Sequence, residues 1–260
     1  MQLFYRSYGE GHPLIILHGL LGSSGNWHAL AGKVFSREYR VLTIDQRNHG
    51  RSPHSEEFSY DVMVDDLIGL MDDLGLESAH LIGHSMGGKT AMHFALTHSE
   101  RVDDLVVVDI APVDYPDLHD ETFEALFAVD PSEYSSRKEI ENALAVYIKG
   151  SRVRQFLLKN VSHEDGRYVW KMNLEAIHRG YDTLREAVLG WQPFDGATLF
   201  IRGGKSDYVQ DEHEISIRTL FPHAEMVTID DVGHWIHAEA PDRFGEIVMA
   251  FLSKSDSVSG

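Results

Sequence analysis

The 260-residue sequence has no cysteine, only 8 lysines and no long apolar run. Without cysteine there is no disulfide framework, no Cys-ligated zinc or iron–sulfur centre and no thiol nucleophile. Basic side chains are outnumbered, with 23 Lys and Arg against 41 Asp and Glu, for a formal charge of −18. Such a chain repels phosphate backbones, so nucleic acid is not an expected partner. No segment approaches the roughly 18 apolar residues of a membrane span. Met1 to Gly11 also lack a basic stretch followed by an apolar one, so no secretory leader is read and a cytoplasmic protein is expected. The 43% hydrophobic fraction is that of a globular chain. At this length a fold buries roughly three quarters of the surface exposed when unfolded, enough to stand without disulfides or structural metal.

What is present is an alternation of short apolar runs and amphipathic stretches. Pro13 to Leu17, Val41 to Ile44, His80 to Ile82, Leu105 to Val108 and Thr198 to Ile201 suit strands buried on both faces of a parallel sheet. Leu3 to Tyr8 reads as an edge strand and Glu225 to Ile229 as a further strand. Trp27 to Phe35, Tyr60 to Leu74, Met86 to Thr97, Glu212 to Phe221 and Pro241 to Leu252 read as helices. This order predicts an α/β fold with a doubly wound, mostly parallel sheet. The alternation stops near Pro112 and resumes near Thr198. The intervening residues show helical spacing, which predicts an all-helical cap inserted over one edge of the sheet. The expected organisation is a core of 1–111 and 197–253, a cap of 112–196 inserted after the sixth strand, and a flexible polar tail of 254–260.

Gly83-His84-Ser85-Met86-Gly87-Gly88 lies between a predicted strand and a predicted helix. This is the G-x-S-x-G pattern in the setting where it forms a nucleophile elbow. Glycines on either side relieve crowding at a sharp, strained turn that thrusts the serine out at the carboxyl edge of the sheet. Ser85 is therefore the expected nucleophile. The Met86 N–H, at a helix N-terminus, is an expected donor to an oxyanion. A hydroxyl needs a base. Of the 16 histidines, His234 follows the last strand in Asp231-Val-Gly-His-Trp235, on a loop opening at the same edge. His237 stands three residues on, but no third ligand of matching spacing accompanies it, so no metal site is expected. The carboxylate that orients the base is ambiguous: Asp109 follows one strand and Asp207, in Gly203-Gly-Lys-Ser-Asp207, follows the next. The Leu20 N–H, after the first buried strand, is the second expected oxyanion donor. His18 is read as a structural residue beside that loop. Asp45-Gln-Arg-Asn-His-Gly-Arg-Ser52 is a turn cluster expected to brace the elbow through Asp–Arg and backbone contacts. Phe123, Phe127, Phe156 and Trp170 of the insertion, with Tyr208 and Trp235, are the expected pocket-lining aromatics.

The sequences His18-Gly-Leu-Leu-Gly-Ser-Ser-Gly-Asn-Trp27, Asp45-Gln-Arg-Asn-His-Gly-Arg-Ser-Pro53, Gly83-His-Ser-Met-Gly-Gly-Lys89 and Val108-Asp-Ile-Ala-Pro112 together resemble the α/β-hydrolase fold family. The resemblance spans Pro13 to Leu252. Asn48 and Lys89 point to a carboxylesterase subgroup that includes a bacterial short-chain acyl esterase and a mitochondrial relative. It implies hydrolysis of a small-molecule acyl ester or thioester without a cofactor, under a small helical cap. In that subgroup the carboxylate follows the strand before the cap, which maps onto Asp109. In the wider family it maps onto Asp207. Perhydrolase, C–C hydrolase or lyase chemistry would use the same residues. The acidic charge disfavours an anionic thioester unless basic residues such as Arg152, Arg154 and Lys159 face the pocket mouth.

Overall fold

The computed structural model describes residues 1–256. Seven strands form one sheet: β1 (Tyr5–Tyr8), β2 (His12–Leu17), β3 (Tyr39–Ile44), β4 (Ala79–His84), β5 (Val102–Val108), β8 (Ala197–Gly203) and β9 (Ala224–Ile229). Their spatial order is β1-β3-β2-β4-β5-β8-β9, with β6 and β7 elsewhere. Only the edge strand β1 runs antiparallel to its neighbour within this sheet. The expectation of a doubly wound, mostly parallel sheet holds.

Each central strand alternates its side chains between two apolar layers, as the two-residue period of a strand requires. Ile15, Leu17, Leu81, Leu105 and Val107 pack on one face against α2 (Tyr60–Asp73), α3 (Met86–Thr97) and α8 (Glu214–Leu220). Leu14, Ile16, Ile82, Val106 and Val108 pack on the other against α1 (His28–Lys33) and α10 (Pro241–Asp256). In α2, Met63, Val64, Leu67, Leu70 and Met71 form the buried stripe. The carboxyl ends of the parallel strands meet at one edge, which fixes where the loops bearing Leu20, Ser85, Asp109 and His234 converge.

The insertion differs from its all-helical expectation. It holds α4 (Asp120–Ala128), α5 (Arg137–Leu144), α6 (Ser151–Leu158) and α7 (Leu174–Arg185), but also an antiparallel hairpin of β6 (Val161–Glu164) and β7 (Arg167–Trp170). Asp165 and Gly166, both at positive φ, turn this hairpin. The insertion also follows the fifth strand in chain order, not the sixth. At the carboxyl end, α10 runs on to Asp256, past the expected core limit of 253; the rest of the expected tail, 257–260, lies outside the described residues. The insertion has its own apolar core, including Phe123, Leu126, Ile140, Leu144 and Ile177, continuous with Leu21, Met63 and Met86 beneath it.

Both roots of this cap are tied to α3 by one side chain. Lys89 is almost fully buried, and its ammonium donates to the carbonyls of Val113 (2.9 Å), Arg185 (3.0 Å) and Glu186. The Tyr115 ring lies 5.0 Å from the same nitrogen. Burial pulls the Lys89 pKa down to about 8, with Asp114 and Glu186 opposing the shift. Hydrogen bonds to a charged group contribute roughly 1.5–3 kcal/mol each, and stranding their partners costs comparably. Lys89→Met is therefore expected to lower the melting temperature by about 5–10 °C and to expose 113–186 to limited proteolysis. An unchanged melt and digestion pattern would remove this role.

Candidate active site

The site begins with a strained turn. Ser85 follows the last residue of β4 with φ 53° and ψ −120°, and α3 starts at the next residue. A side chain at Gly83 would meet the Gly87 carbonyl at 2.3 Å, and one at Gly87 would meet the Leu17 carbonyl at 2.4 Å. Only glycine lets strand and helix approach this closely. The Ser85 N–H donates to the Val108 carbonyl at 3.0 Å, which pins the turn to the neighbouring strand. The 18–22 loop closes over it: a Cβ on Gly19 would lie 3.2 Å from Ser85 Cβ. Leu20 thus follows a residue in contact with Ser85, while Met86 is the first residue of α3.

Buried polar contacts hold that loop. Gln46 N–H donates to His18 Nε2 at 3.0 Å, so His18 carries its proton on Nδ1 and donates to the Gly19 carbonyl at 2.8 Å. Burial lowers the His18 pKa, keeping the ring neutral. Leu21 N–H donates to His49 Nε2, and Ser24 N–H to Asp45 Oδ1. The 45–52 cluster therefore braces the Leu20 loop. Its Arg47 pairs with Asp66 on α2 at 2.6 Å, not with Asp45.

His234 Nδ1 lies 2.7 Å from Asp109 Oδ2, and Asp109 is wholly buried. Asp109 is itself at φ 53°. The loop after β8 also serves it: the Gly203 N–H donates to its Oδ1 at 2.9 Å and the Ser206 hydroxyl to its Oδ2. Asp207, the alternative acid, is exposed beside Ser206. With Nδ1 taken, Nε2 of His234 is left for the cavity that Ser85 lines. Tyr208 stacks on the His234 ring at 3.9 Å. From behind, His84 Nε2 donates to the His234 carbonyl at 2.9 Å. His84 also packs against His237, which stacks on Trp27. Burial first, then the neighbouring His234 and His237, push the His84 pKa well below its usual 6.5.

Two compartments meet at Ser85. The larger, about 250 Å³, is lined by Trp27, Phe156, His234 and Trp235 among others. The smaller, about 40 Å³, runs beneath the cap between Tyr60, Met86, Lys89 and Tyr115. Leu20, Leu118, His119 and Tyr208 line both. Phe156, Tyr208 and Trp235 are thus placed on the cavity, whereas three expected aromatics are not. Phe123 is buried in the cap core, because it lies on the inner face of α4. Phe127 is half exposed on the outer side of α4, edge-on to His178. Trp170 sits in the cap hairpin and donates to the Val129 carbonyl. The sequence expectations did not include Ser206, His84 or His119 as site neighbours. Ser206 adjoins the alternative acid, and His84 lies inside the elbow motif itself. Among the described residues no group of three or more His, Asp or Glu is arranged to hold a metal ion, and no helix is long and apolar enough to cross a membrane.

Two outcomes follow from this geometry. Asp109→Asn is expected to cut kcat by roughly 10⁴, since the base loses its orienting acceptor and its cationic form loses its partner. Asp207→Asn should leave kcat within about threefold; the reverse ranking would reassign the acid. His237, driven by burial to a pKa of about 3, has Nδ1 buried without a hydrogen-bond partner. It stays neutral when folded but titrates near 6.5 when unfolded. Its contribution is complete above 6.5 and lost as pH falls, by roughly 1.4 kcal/mol per unit below 6.5. His237→Phe, which keeps the stack on Trp27, should flatten the fall in melting temperature between pH 7 and 5. An unchanged slope would contradict this.

Comparison with known proteins places the chain. Residues 12–139 match the alpha/beta hydrolase fold family. The mouse sn-1-specific diacylglycerol lipase ABHD11 is 43% identical over 247 residues, covering 92% of this chain and 80% of the relative. Esterase YbfF of Escherichia coli is 36% identical over 245 residues, 93% of each. A solved marine microorganism esterase superposes with a TM-score of 0.94 at 43% identity, covering 96% of this chain and 99% of its own. The sheet, the strained serine turn and these relatives agree: the chain is an enzyme belonging to the α/β-hydrolase fold family.

Proposed function

We propose that the protein is a serine carboxylesterase acting on short- to medium-chain acyl esters through an acyl-enzyme on Ser85. The observation that carries this reading is the His234–Asp109 pair set in the same cavity as a serine held at a strained elbow. Ser85 Oγ attacks the ester carbonyl carbon while His234 Nε2 takes its proton. Asp109 stabilises the resulting imidazolium. The Leu20 and Met86 amides receive the oxyanion, each donor lowering the barrier by roughly 2.7–4 kcal/mol. Collapse expels the alcohol, which takes the proton from His234. A water then repeats the sequence and releases the acid.

The compartments support an order of binding. The leaving alcohol must receive its proton from His234, which lines only the larger space. The acyl chain then occupies the smaller one, whose 40 Å³ supports a short chain. Arg152 and Lys159 line an adjoining outer groove, while Arg154 bonds the Ile148 and Lys149 carbonyls instead. Glu239 and Asp231 face the same groove and pair with Arg152 and Lys205, so its charge is mixed. This favours neutral esters over anionic thioesters.

With p-nitrophenyl esters of rising length, kcat/KM is expected to peak at a short acyl chain and fall as it outgrows the small compartment. Ser85→Ala should lower kcat by at least ~10⁴ while the fold is retained. Retained turnover in that variant would defeat the reading, and a preference for acyl-CoA over all neutral esters would overturn the substrate class.

A further inference from the structure

The cap places His119 at both compartments, and the hydrolytic sequence above does not use it. His119 immediately precedes α4 and lines the larger and smaller cavities alongside Ser85, Leu20 and Tyr208. Thr122, one helical turn on, lines the larger one. The His119 ring is fixed by the cap. It meets the Tyr181 ring edge-on at 5.5 Å, and its Nδ1 lies 2.7 Å from the Tyr181 hydroxyl oxygen.

The hydrogen bonding there determines where the imidazole proton sits. The Leu118 N–H donates to the Tyr181 oxygen at 3.4 Å. Tyr181 is buried, and among the described residues His119 Nδ1 is the acceptor within reach of its own proton. A buried hydroxyl does not leave its proton unpaired when an acceptor stands at 2.7 Å. With Tyr181 donating to Nδ1, a neutral His119 carries its proton on Nε2. The ring is neutral at ordinary pH: burial first, then the cation-forming His234, pulls its pKa to about 4 against the opposing pull of Asp117. Nε2 is thus an N–H donor on a ring that lines the cavity.

We propose that His119 Nε2–H is a substrate donor that selects esters whose alcohol carries a second oxygen a few atoms from the scissile bond. The placement favours this side of the ester. The leaving group lies in the larger compartment, where it receives its proton from His234, and His119 lines that same compartment. An acceptor oxygen further along the alcohol satisfies the Nε2–H. A purely alkyl alcohol strips water from that donor and offers nothing in return. The preferred substrates are esters of polyols and alkoxy alcohols rather than of simple alkanols. This inference rests on the esterase reading above.

The test compares n-butyl butyrate with 2-methoxyethyl butyrate, two esters of equal length in which one methylene is replaced by an acceptor-only oxygen. The readout is the ratio of kcat/KM values. Changes in this ratio between variants cancel the intrinsic reactivities of the two esters. His119→Phe and His119→Leu are expected to lower the ratio about five- to tenfold, the range of one hydrogen bond. His119→Gln, which retains an N–H donor, should recover most of the ratio. If either apolar variant keeps the wild-type ratio, or Gln fails to differ from Leu, the donor role is wrong. If the wild-type enzyme cleaves neither ester in a Ser85-dependent manner, the esterase reading falls instead.

Discussion

The turn at Ser85 is the constraint on which the rest of the site depends. A non-glycine residue at φ 53° stores strain that the surrounding structure must hold. The holding is done by the contact of Gly83 and Gly87 with neighbouring backbone, and by the bond from Ser85 N–H to the β5 carbonyl. Asp109, one residue beyond that carbonyl, is forced into the same left-handed region. Two strained residues on adjacent strands are thus coupled through Val108. This coupling aims hydroxyl and carboxylate at one edge and leaves His234 to bridge toward the cavity.

Around this pair the electrostatics follow from burial more than from charge. The exterior is strongly acidic, yet the rings behind the site are kept uncharged by desolvation. Neutral His18 and His84 are better spacers than cations would be, since a buried positive charge beside His234 would oppose the imidazolium formed during turnover. Each also donates to a single carbonyl, which fixes a loop without adding charge.

The architecture was largely legible because two-faced strands and the serine elbow follow local rules. Apolar runs of four to six residues read as buried strands, and the glycines around Ser85 read as a steric requirement. The acid was ambiguous because two loops open on the same edge. Their difference is tertiary: Asp109 faces into the protein with three donors, while the next loop lends Ser206 and Gly203 in its support and leaves Asp207 outside. The cap was the least legible part. Helical spacing there did not tell inward from outward, so Phe123 and Phe127, four residues apart, went to a buried core and to the surface. The hairpin escaped because Val161 to Trp170 interleaves charged and apolar residues over two strands of only four residues each. His119 could not be picked out by spacing, since its relation to Tyr181 crosses 62 residues of chain.

The ammonium that gathers Val113, Arg185 and Glu186 has a topological meaning. It draws the two ends of a long insertion to one point, so the core sees the cap as a short loop whatever its contents. Loop-closure entropy grows only logarithmically with length, and doubling the chain between two clamped ends costs roughly 0.6 kcal/mol. With its ends joined at Lys89, the cap adds little closure cost for its length, and its apolar core runs on into Leu21, Met63 and Met86 beneath, so the space over Ser85 is shaped by cap and core together.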